Sequence, residues 1–495
     1  MPRILIFLCT ILVCSPMAIA DDDFDARDSI VKIFATYRGA DFSRPWTKQS
    51  PQEFSGTGFV IDGNLILTNA HVVEQSSQIF IQPPNSADKL RATVVGISQA
   101  MDMAILQLKK TSEREEFHAD HPPLVLQGEL PAIGETVQAI GYPVGGEQVS
   151  ITEGVVSRIE YTGYNMDAAG LRLQVDAALN HGNSGGPVMM NDEVVGVVFS
   201  GIEYAENIGY VIPTEEVLNF ITDIKDGTYD GPPTLDRFGF QTCENDSLRD
   251  WLGLSKEQTG LVYIRAKEGI ETPLEKWDVI DKIGEFDIDN AGMVKLTDDL
   301  RLLWPYFIRQ LTTEEGTVEM TIIRKGKSMQ VDLVARNNRD MVIPFIGNDY
   351  PEYFVIGPMI FTPIRREHFF ELNLWYGVID GSPATLHIED VKEYEGQEFV
   401  VIASDFLPHP ITKGYDISGS PTLKSVNGTD IKSLAHAVEL MRDTEGDFIE
   451  FAFFDRRQET LIFNHDELLE ATEEILEDNS IRKQGSDRFM DIWEE

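Results

Sequence analysis

The chain has 495 residues, 42% of them apolar, and carries 82 acidic against 41 basic side chains for a formal net charge of −41. So acidic a surface repels phosphate backbones and anionic headgroups, which excludes nucleic acid and acidic membrane surfaces as partners. The length exceeds what one hydrophobic core fills and predicts about three domains.

Residues 1–20 carry Arg3, the apolar run "ILIFLCTILVC" and Ala18-Ile19-Ala20 ahead of "DDDFDARD". This is the pattern of a signal peptide with a small-x-small cleavage site. The run is short for a membrane span and no later stretch is longer, so no membrane insertion is expected. Cys9 and Cys14 leave with the leader, Cys243 stands alone, and no internal disulfide can form. Export without disulfides fits a periplasm, with the extracellular medium as the alternative.

From about Ser29 to Pro213, short β-rich runs such as "SIVKIFATY", "GTGFVI", "NLILTNAHVV", "ETVQAIGYP" and "EVVGVVFS" alternate with turn residues, which predicts an antiparallel barrel or sandwich. "PTEEVLNFITDI", with Thr214 as cap, predicts a closing helix, and "KDGTYDGPP" a linker. Two further β-rich units each contain one helix. In the first, "TDDLRLLWPYFIRQL" reads as mixed helix around Pro305; in the second, the helix is "SLAHAVELMRD". An acidic amphipathic helix, "HDELLEATEEILEDNSIRK", with Leu468, Leu469, Ile475 and Leu476 on one face, leads to the C-terminus.

Three stretches of the first β-rich region carry chemistry: "TNAHVV" with His71, "MDMAIL" with Asp102 and "NHGNSGGP" with Ser184. Alone, Ser184 reads as a turn residue, His71 as a core histidine and Asp102 as a turn cap. Together, in the order His, Asp, Ser on a β-rich domain, they make a catalytic triad. A serine hydroxyl needs an adjacent imidazole to take its proton, and the imidazole needs a carboxylate to fix its tautomer and support its charge. The glycines follow from the chemistry. Around Gly182, Asn183 and Ser184 two backbone N–H groups, those of Gly182 and Ser184, must converge on a developing oxyanion, and Gly185-Gly186 let substrate backbone approach. His118, His121 and His181 lack zinc-site spacing, and no metal or cofactor is expected.

"GTGFVI", "LILTNAHVV", "MDMAILQL", "DAALNHGNSGGPV", "VVGVVFSG" and "NIGYVIP" resemble the Deg/HtrA family of serine endopeptidases, strongly over residues 29–222. "SIVKIFATYRGADFSRPW", "NDYPEYFVIGPMIFTPI" and "LKSVNGTDIKSLAHAVELMRD" are similar to its plant-type branch with a divergent second PDZ domain. Met103 stands where the family commonly has leucine. The resemblance implies a mostly β fold: a chymotrypsin-like double β-barrel followed by two PDZ-like α+β domains. The expected division is a signal peptide at 1–20, the protease domain at 21–225, PDZ domains at 232–338 and 345–465, and an acidic helix and tail at 466–495.

The implied activity is ATP-independent cleavage of unfolded or damaged proteins in quality control. The reading from a different class is a PDZ scaffold or holding chaperone with an inactive or conditionally active protease fold. By resemblance Phe199, Ser200 and Gly201 line the specificity pocket. Phe199 either narrows it, favouring cleavage after Val, Ile, Ala or Leu, or belongs to the core. Phe238, Gly239 and Phe240 resemble a carboxylate-binding loop that captures a peptide C-terminus. Pro358 and Pro363, lacking N–H donors, predict a second groove closed to free C-termini and a role in regulation or assembly. Tyr37, Phe42 and Trp46 in a polar loop read as an exposed contact surface, by resemblance that of a homotrimer or a larger cage of trimers. Stretches 160–171 and 200–207 would order the oxyanion turn.

Overall fold

The computed structural model describes residues 25–143, 146–164, 168–180, 182–199, 209–235, 239–265, 271–337, 340–372, 374, 381–388, 390–417 and 419–495. Two closed six-stranded antiparallel barrels come first. β1 (Ile30–Tyr37), β2 (Gln52–Ile61), β3 (Leu65–Thr68), β4 (Ser76–Gln82), β5 (Leu90–Ser98) and β6 (Met103–Leu108) close in the order β1-β2-β3-β6-β5-β4. β7 (Thr136–Gly141), β8 (Ser150–Gly163), β9 (Ala169–Val175), β10 (Pro187–Met190), β11 (Glu193–Phe199) and β12 (Gly209–Pro213) close in the order β10-β11-β12-β9-β8-β7. Closure leaves no unpaired sheet edge. The β10–β11 hairpin turns through Asn191 and Asp192, both at positive φ, as a two-residue loop matched to strand twist requires.

Among the described residues, α1 (Ala70–Val73), α2 (Thr111–Asp120) and α3 (Thr214–Asp223) attach to the barrels. β11 is apolar on both faces because α3 covers its outer side, with Val217 and Phe220 joining Val197 and Ile212 in one core. Pro213, not Thr214, occupies the N-cap of α3, and Thr214 is its first helical residue.

In the next unit β13 (Phe240–Thr242), β14 (Leu261–Tyr263), β15 (Val279–Ile283), β19 (Thr317–Arg324) and β20 (Lys327–Val334) form a sheet in that order, with β16 (Phe286–Asp287) on β15 and a separate β17 (Met293–Lys295)–β18 (Arg301–Leu303) pair. α4 (Asp246–Leu252) and α5 (Tyr306–Leu311) complete it. The stretch read as mixed helix is therefore strand and then helix. Pro305 sits at the N-cap, where its missing N–H costs nothing. This unit docks on the second barrel through Arg309 on α5, which pairs with Glu216 at 2.7 Å and Glu215 at 2.9 Å on α3. Glu216 is buried and its other oxygen accepts the Leu171 N–H at 2.8 Å, so losing Arg309 would strand a buried charge at a cost of about 3–5 kcal/mol.

The last unit has the sheet β21 (Phe354–Ile356)–β22 (Met359–Pro363)–β23 (Val400–Ile402) and the sheet β25 (Thr429–Asp430)–β24 (Leu423–Val426)–β26 (Phe448–Phe453)–β27 (Leu461–Asn464). Its helices are α6 (His368–Glu371), α7 (Leu434–Arg442), α8 (His465–Asp478) and α9 (Asp487–Glu494). α8 buries Leu468, Ala471, Thr472 and Ile475, with Leu469 and Leu476 at the margin of that face. The chain continues past α8 into α9, whose Phe489 enters the same core as Leu468, and whose Ile492 carbonyl accepts from Arg442 at 2.6 Å. The helices after residue 465 are thus packed parts of this unit, not a separate tail.

The contact-surface expectation for the aromatic loop is corrected. Phe42 is only 9% exposed and packs edge-on against His368 of the last unit, with ring centroids 4.9 Å apart. Trp46 packs on Tyr353, and Lys48 lies over the Tyr350 ring. Within one chain, the last unit covers Phe42 and Trp46, which polarity alone predicted to be bare, while Tyr37 packs edge-on against Phe54 of β2. Among the described residues no helix is long and apolar enough to cross a membrane.

Candidate active site

His71 lies on the single-turn helix α1, directly after β3, and Asp102 in the tight turn between β5 and β6, so strand pairing within the first barrel brings them together. The His71 Nδ1 is 2.7 Å from Asp102 Oδ2, and the backbone N–H of His71 donates to Oδ1 at 2.9 Å. Both carboxylate oxygens hold the same residue. Asp102 is buried with φ +54, in the left-handed region that aspartate tolerates better than most residues, and its carbonyl accepts from the Asn69 side chain at 2.9 Å. With Nδ1 donating to the carboxylate, Nε2 is left as a proton acceptor. Burial pulls the imidazole pKa down, but the hydrogen bond and charge of Asp102 outweigh it, and the net shift is upward. The His71 side chain remains 40% exposed, enough for a reactant to reach it.

Ser184 comes from the turn ahead of β10 in the second barrel, and Thr57 of β2 joins the two barrels there. The Thr57 N–H donates to the Ser184 carbonyl at 3.0 Å. Its hydroxyl donates to the Gly182 carbonyl at 2.7 Å and accepts the Tyr142 N–H at 2.9 Å, while its carbonyl accepts from Thr68 Oγ1 at 2.7 Å. The turn needs its glycines. A Cβ on Gly185, at φ +83, would sit 2.2 Å from Thr68 Oγ1 and 2.3 Å from the Thr57 carbonyl; Gly182 has φ +99. A Cβ on Gly56 would meet Val72, beside His71, at 2.7 Å and the Ser184 carbonyl at 3.4 Å, so the serine turn and the histidine helix press on one strand from two sides.

Within the turn the Asn183 N–H donates to the Asn180 carbonyl at 3.1 Å and the Gly186 N–H to the Asn183 carbonyl at 2.9 Å. The N–H groups of Gly182 and Ser184 have no partner among the described residues. Among the described residues, two donors on either side of Asn183 are without a partner while the Asn183 N–H is engaged, an arrangement able to hold an anionic oxygen.

Phe199 ends β11 and is packed against Tyr164 at 5.8 Å, with the Arg172 guanidinium 4.7 Å from its ring. Ser200, Gly201 and Phe238 lie outside the described residues, as do all of 200–207 and residues 165–167 of the stretch 160–171. Gly239 is packed under Tyr263, where a Cβ would come within 2.7 Å of the ring and of the Arg265 carbonyl. Phe240 opens the edge strand β13 and packs on Trp304 and Tyr263. In the last unit β22 stands beside β23 as β13 stands beside β14, yet β22 carries a further partner, β21, on its outer edge. Pro358 and Pro363 sit at the connecting turn and the strand end, and the edge of β22 is taken by β21 of the same chain.

Sequence reasoning passed over Thr57, Asn69, Gln75 and Glu216. The one available signal was "GTG" inside a β-branched strand, where small residues mark a close backbone approach.

A trypsin-like peptidase domain is matched over residues 56–197 and a PDZ domain over 344–488. The chain is 32% identical over 456 residues to "Protease Do-like 4, mitochondrial" of Arabidopsis thaliana, covering 91% of this chain and 83% of that protein. It is 32% identical over 449 residues to "Protease Do-like 2, chloroplastic" of the same plant, covering 89% and 72%. Among solved structures, "HtrA-type protease AlgW with tripeptide" is 19% identical with a TM-score of 0.47, covering 63% of this chain and 95% of its own. With a histidine–carboxylate pair and a glycine-shaped serine turn at the junction of two barrels, and relatives that match it almost end to end, the chain belongs to the Deg/HtrA family of PDZ-carrying serine endopeptidases.

Proposed function

We propose that Ser184, His71 and Asp102 form the catalytic triad, and that the enzyme cleaves unfolded proteins through an acyl-enzyme. The Ser184 hydroxyl attacks the scissile carbonyl as His71 Nε2 takes its proton, and Asp102 supports the resulting imidazolium. The carbonyl oxygen, now anionic, takes hydrogen bonds from the N–H groups of Gly182 and Ser184, each worth about 3 kcal/mol in the transition state, with Asn183 as the spacer between them. Collapse expels the amine, which leaves with the proton from His71; water then repeats the sequence in reverse and frees Ser184. The observation that carries this reading is the double grip of Asp102 on His71, side chain and backbone N–H together.

The test joins two measurements. A fluorophosphonate should label one serine per chain, and peptide mapping should find the adduct on Ser184; casein should be hydrolysed by the unlabelled protein only. The same digest reads specificity. Phe199, with Ser200 and Gly201, supports a narrow pocket and cuts after Val, Ile, Ala or Leu. Adduct on another residue, or cleavage that survives labelling, overturns the triad; cuts mainly after Lys or Arg overturn the pocket.

Because only neutral His71 can accept the proton, a raised imidazole pKa moves the acid limb of kcat/KM upward, to a midpoint above the ordinary value of about 6.5. A rate profile from about pH 5 to pH 9 checks this, and a midpoint below about 6 contradicts it.

The unit at 232–338 serves as a PDZ domain in which Phe238, Gly239 and Phe240 receive a peptide C-terminus and β13 pairs with the peptide. The unit beginning at residue 345, its edge filled by β21, serves assembly and regulation. Assembly into a homotrimer or a cage of trimers rests on the family likeness. The apolar leader at 1–20 supports export, to a periplasm first or the extracellular medium, although the two plant relatives are by name mitochondrial and chloroplastic.

A further inference from the structure

A one-turn helix is unstable by itself, and α1, which carries His71, has four residues. It runs into Gln75 at φ +45, a backbone conformation that a side chain of this size adopts only when its surroundings impose it. The surroundings are unusually complete, since every polar group of Gln75 is engaged. Its carbonyl accepts from the Arg38 N–H at 3.0 Å and its Oε1 from the Ala40 N–H at 3.1 Å, both in the aromatic loop. Its N–H donates to Asn348 Oδ1 at 2.7 Å and its Nε2 to the Asp349 carbonyl at 3.1 Å, both at the entry to the last unit. These residues lie about 270 positions away in sequence.

Asn348 is itself held. The Glu367 carboxylate takes the Ile346 N–H at 3.0 Å on both oxygens and so fixes the turn that presents Asn348. Tyr350 donates to the Arg38 carbonyl at 2.9 Å, and the Phe42–His368 and Trp46–Tyr353 contacts seal the same seam. We infer that Gln75 and Asn348 are positioning residues for catalysis: they clasp the C-terminal end of the histidine helix to the second PDZ unit, so that this unit completes the active site of the protease domain. The inference rests on His71 being the catalytic base.

The physical reason is the tolerance of the reaction. A displacement of about 1 Å at a catalytic group costs on the order of a hundredfold in rate, and nothing inside a single helical turn prevents one. Where the helix drifts, the bond from His71 to Asp102 lengthens and the imidazole loses the partner that raises its pKa. The charged groups acting on His71 are Asp102 and Glu74, and Glu74 in turn feels Glu367 across the seam. Burial first, and then the Asp102 charge, raises the Glu74 carboxyl; burial raises Glu367. The acid limb therefore reads this group as a whole. His368, driven by burial down to about 3, stays neutral throughout.

Asn348 is exposed, so replacing it leaves the fold intact. In the full-length protein with casein as substrate, Asn348→Ala should lower kcat by about five- to twentyfold with KM within about twofold, and should move the acid limb down by about half a pH unit. Asn348→Asp, which keeps an acceptor for the Gln75 N–H, should recover most of kcat. Tyr350→Phe cuts a bond of the same seam without touching Gln75 and should alter neither kcat nor the limb. The proposal is overturned by wild-type kcat and limb in Asn348→Ala, by equal impairment in Asn348→Asp, or by an equal effect of Tyr350→Phe. Ser184→Ala run in parallel keeps the two readings apart: a rate there within about a hundredfold of wild type discards the triad whatever Asn348 does.

Discussion

Ser184→Ala is expected to reduce kcat by about 10⁵- to 10⁶-fold while leaving KM within a few-fold of its original value. Truncation removes the only atom that forms a bond to the substrate, yet the turn that carries it is fixed by bonds from backbone groups. The Ser184 carbonyl still accepts from Thr57, the Asn183 N–H still donates to Asn180, and Gly185 still has its close approach to Thr57 and Thr68. The variant therefore keeps the N–H groups of Gly182 and Ser184 proposed as oxyanion donors, and the residual rate should stand above the uncatalysed one by about 10³-fold. His71→Ala should cost nearly as much, and the double variant little more than either, since base and nucleophile act as one unit. Casein hydrolysis by the three variants measures this directly. If the two single losses multiply in the double variant, the residues act independently and the triad is wrong.

How far the fold could be read in advance depended on the range of the interactions. The barrel strands were legible from alternation and from turn residues, because a closed antiparallel sheet is built from neighbours in sequence. The His71–Asp102 pair and the glycine-shaped turn of Ser184 were suggested by short motifs, each read from its immediate neighbours in sequence. Helix ends were less so: Pro305 was taken as interrupting a helix that it in fact starts, since a proline at an N-cap and a proline breaking a helix differ only in what precedes them.

Contacts between distant units were not legible at all. Phe42 looked bare because the polarity of its own loop says nothing about His368, more than three hundred residues on. The partner on the edge of β22 was not anticipated from Pro358 and Pro363, which bear only on N–H donors. What fills the edge of β22 is β21, and a three-residue apolar strand next to a glycine turn does not announce which edge it will occupy. Gln75 is the extreme case, a residue of ordinary type and unremarked context whose importance lies wholly in what converges on it.

Asp102→Asn is expected to lower kcat at neutral pH by about 10⁴-fold with the fold unchanged, and the backbone explains why asparagine is the informative replacement. At φ +54 most side chains would strain the turn, whereas asparagine tolerates the left-handed region as aspartate does. Its carbonyl oxygen can still take the His71 N–H, so α1 stays docked. Its amide, however, donates where the carboxylate accepted. Nδ1 must then accept, the proton moves to Nε2, and the nitrogen proposed to take the Ser184 proton has lost its capacity as a base. The charge that raises the imidazole pKa is lost as well, so the group titrates at lower pH and the residual acid limb shifts down with it. Asp102→Ala would combine this electronic loss with a strained turn and an unsatisfied His71 N–H, and should add a fall in thermal stability that the asparagine variant lacks. A rate for Asp102→Asn within about tenfold of wild type would mean that another group supports the imidazole, and the other carboxyl whose charge acts on it is that of Glu74, which a double variant with Glu74→Gln would expose.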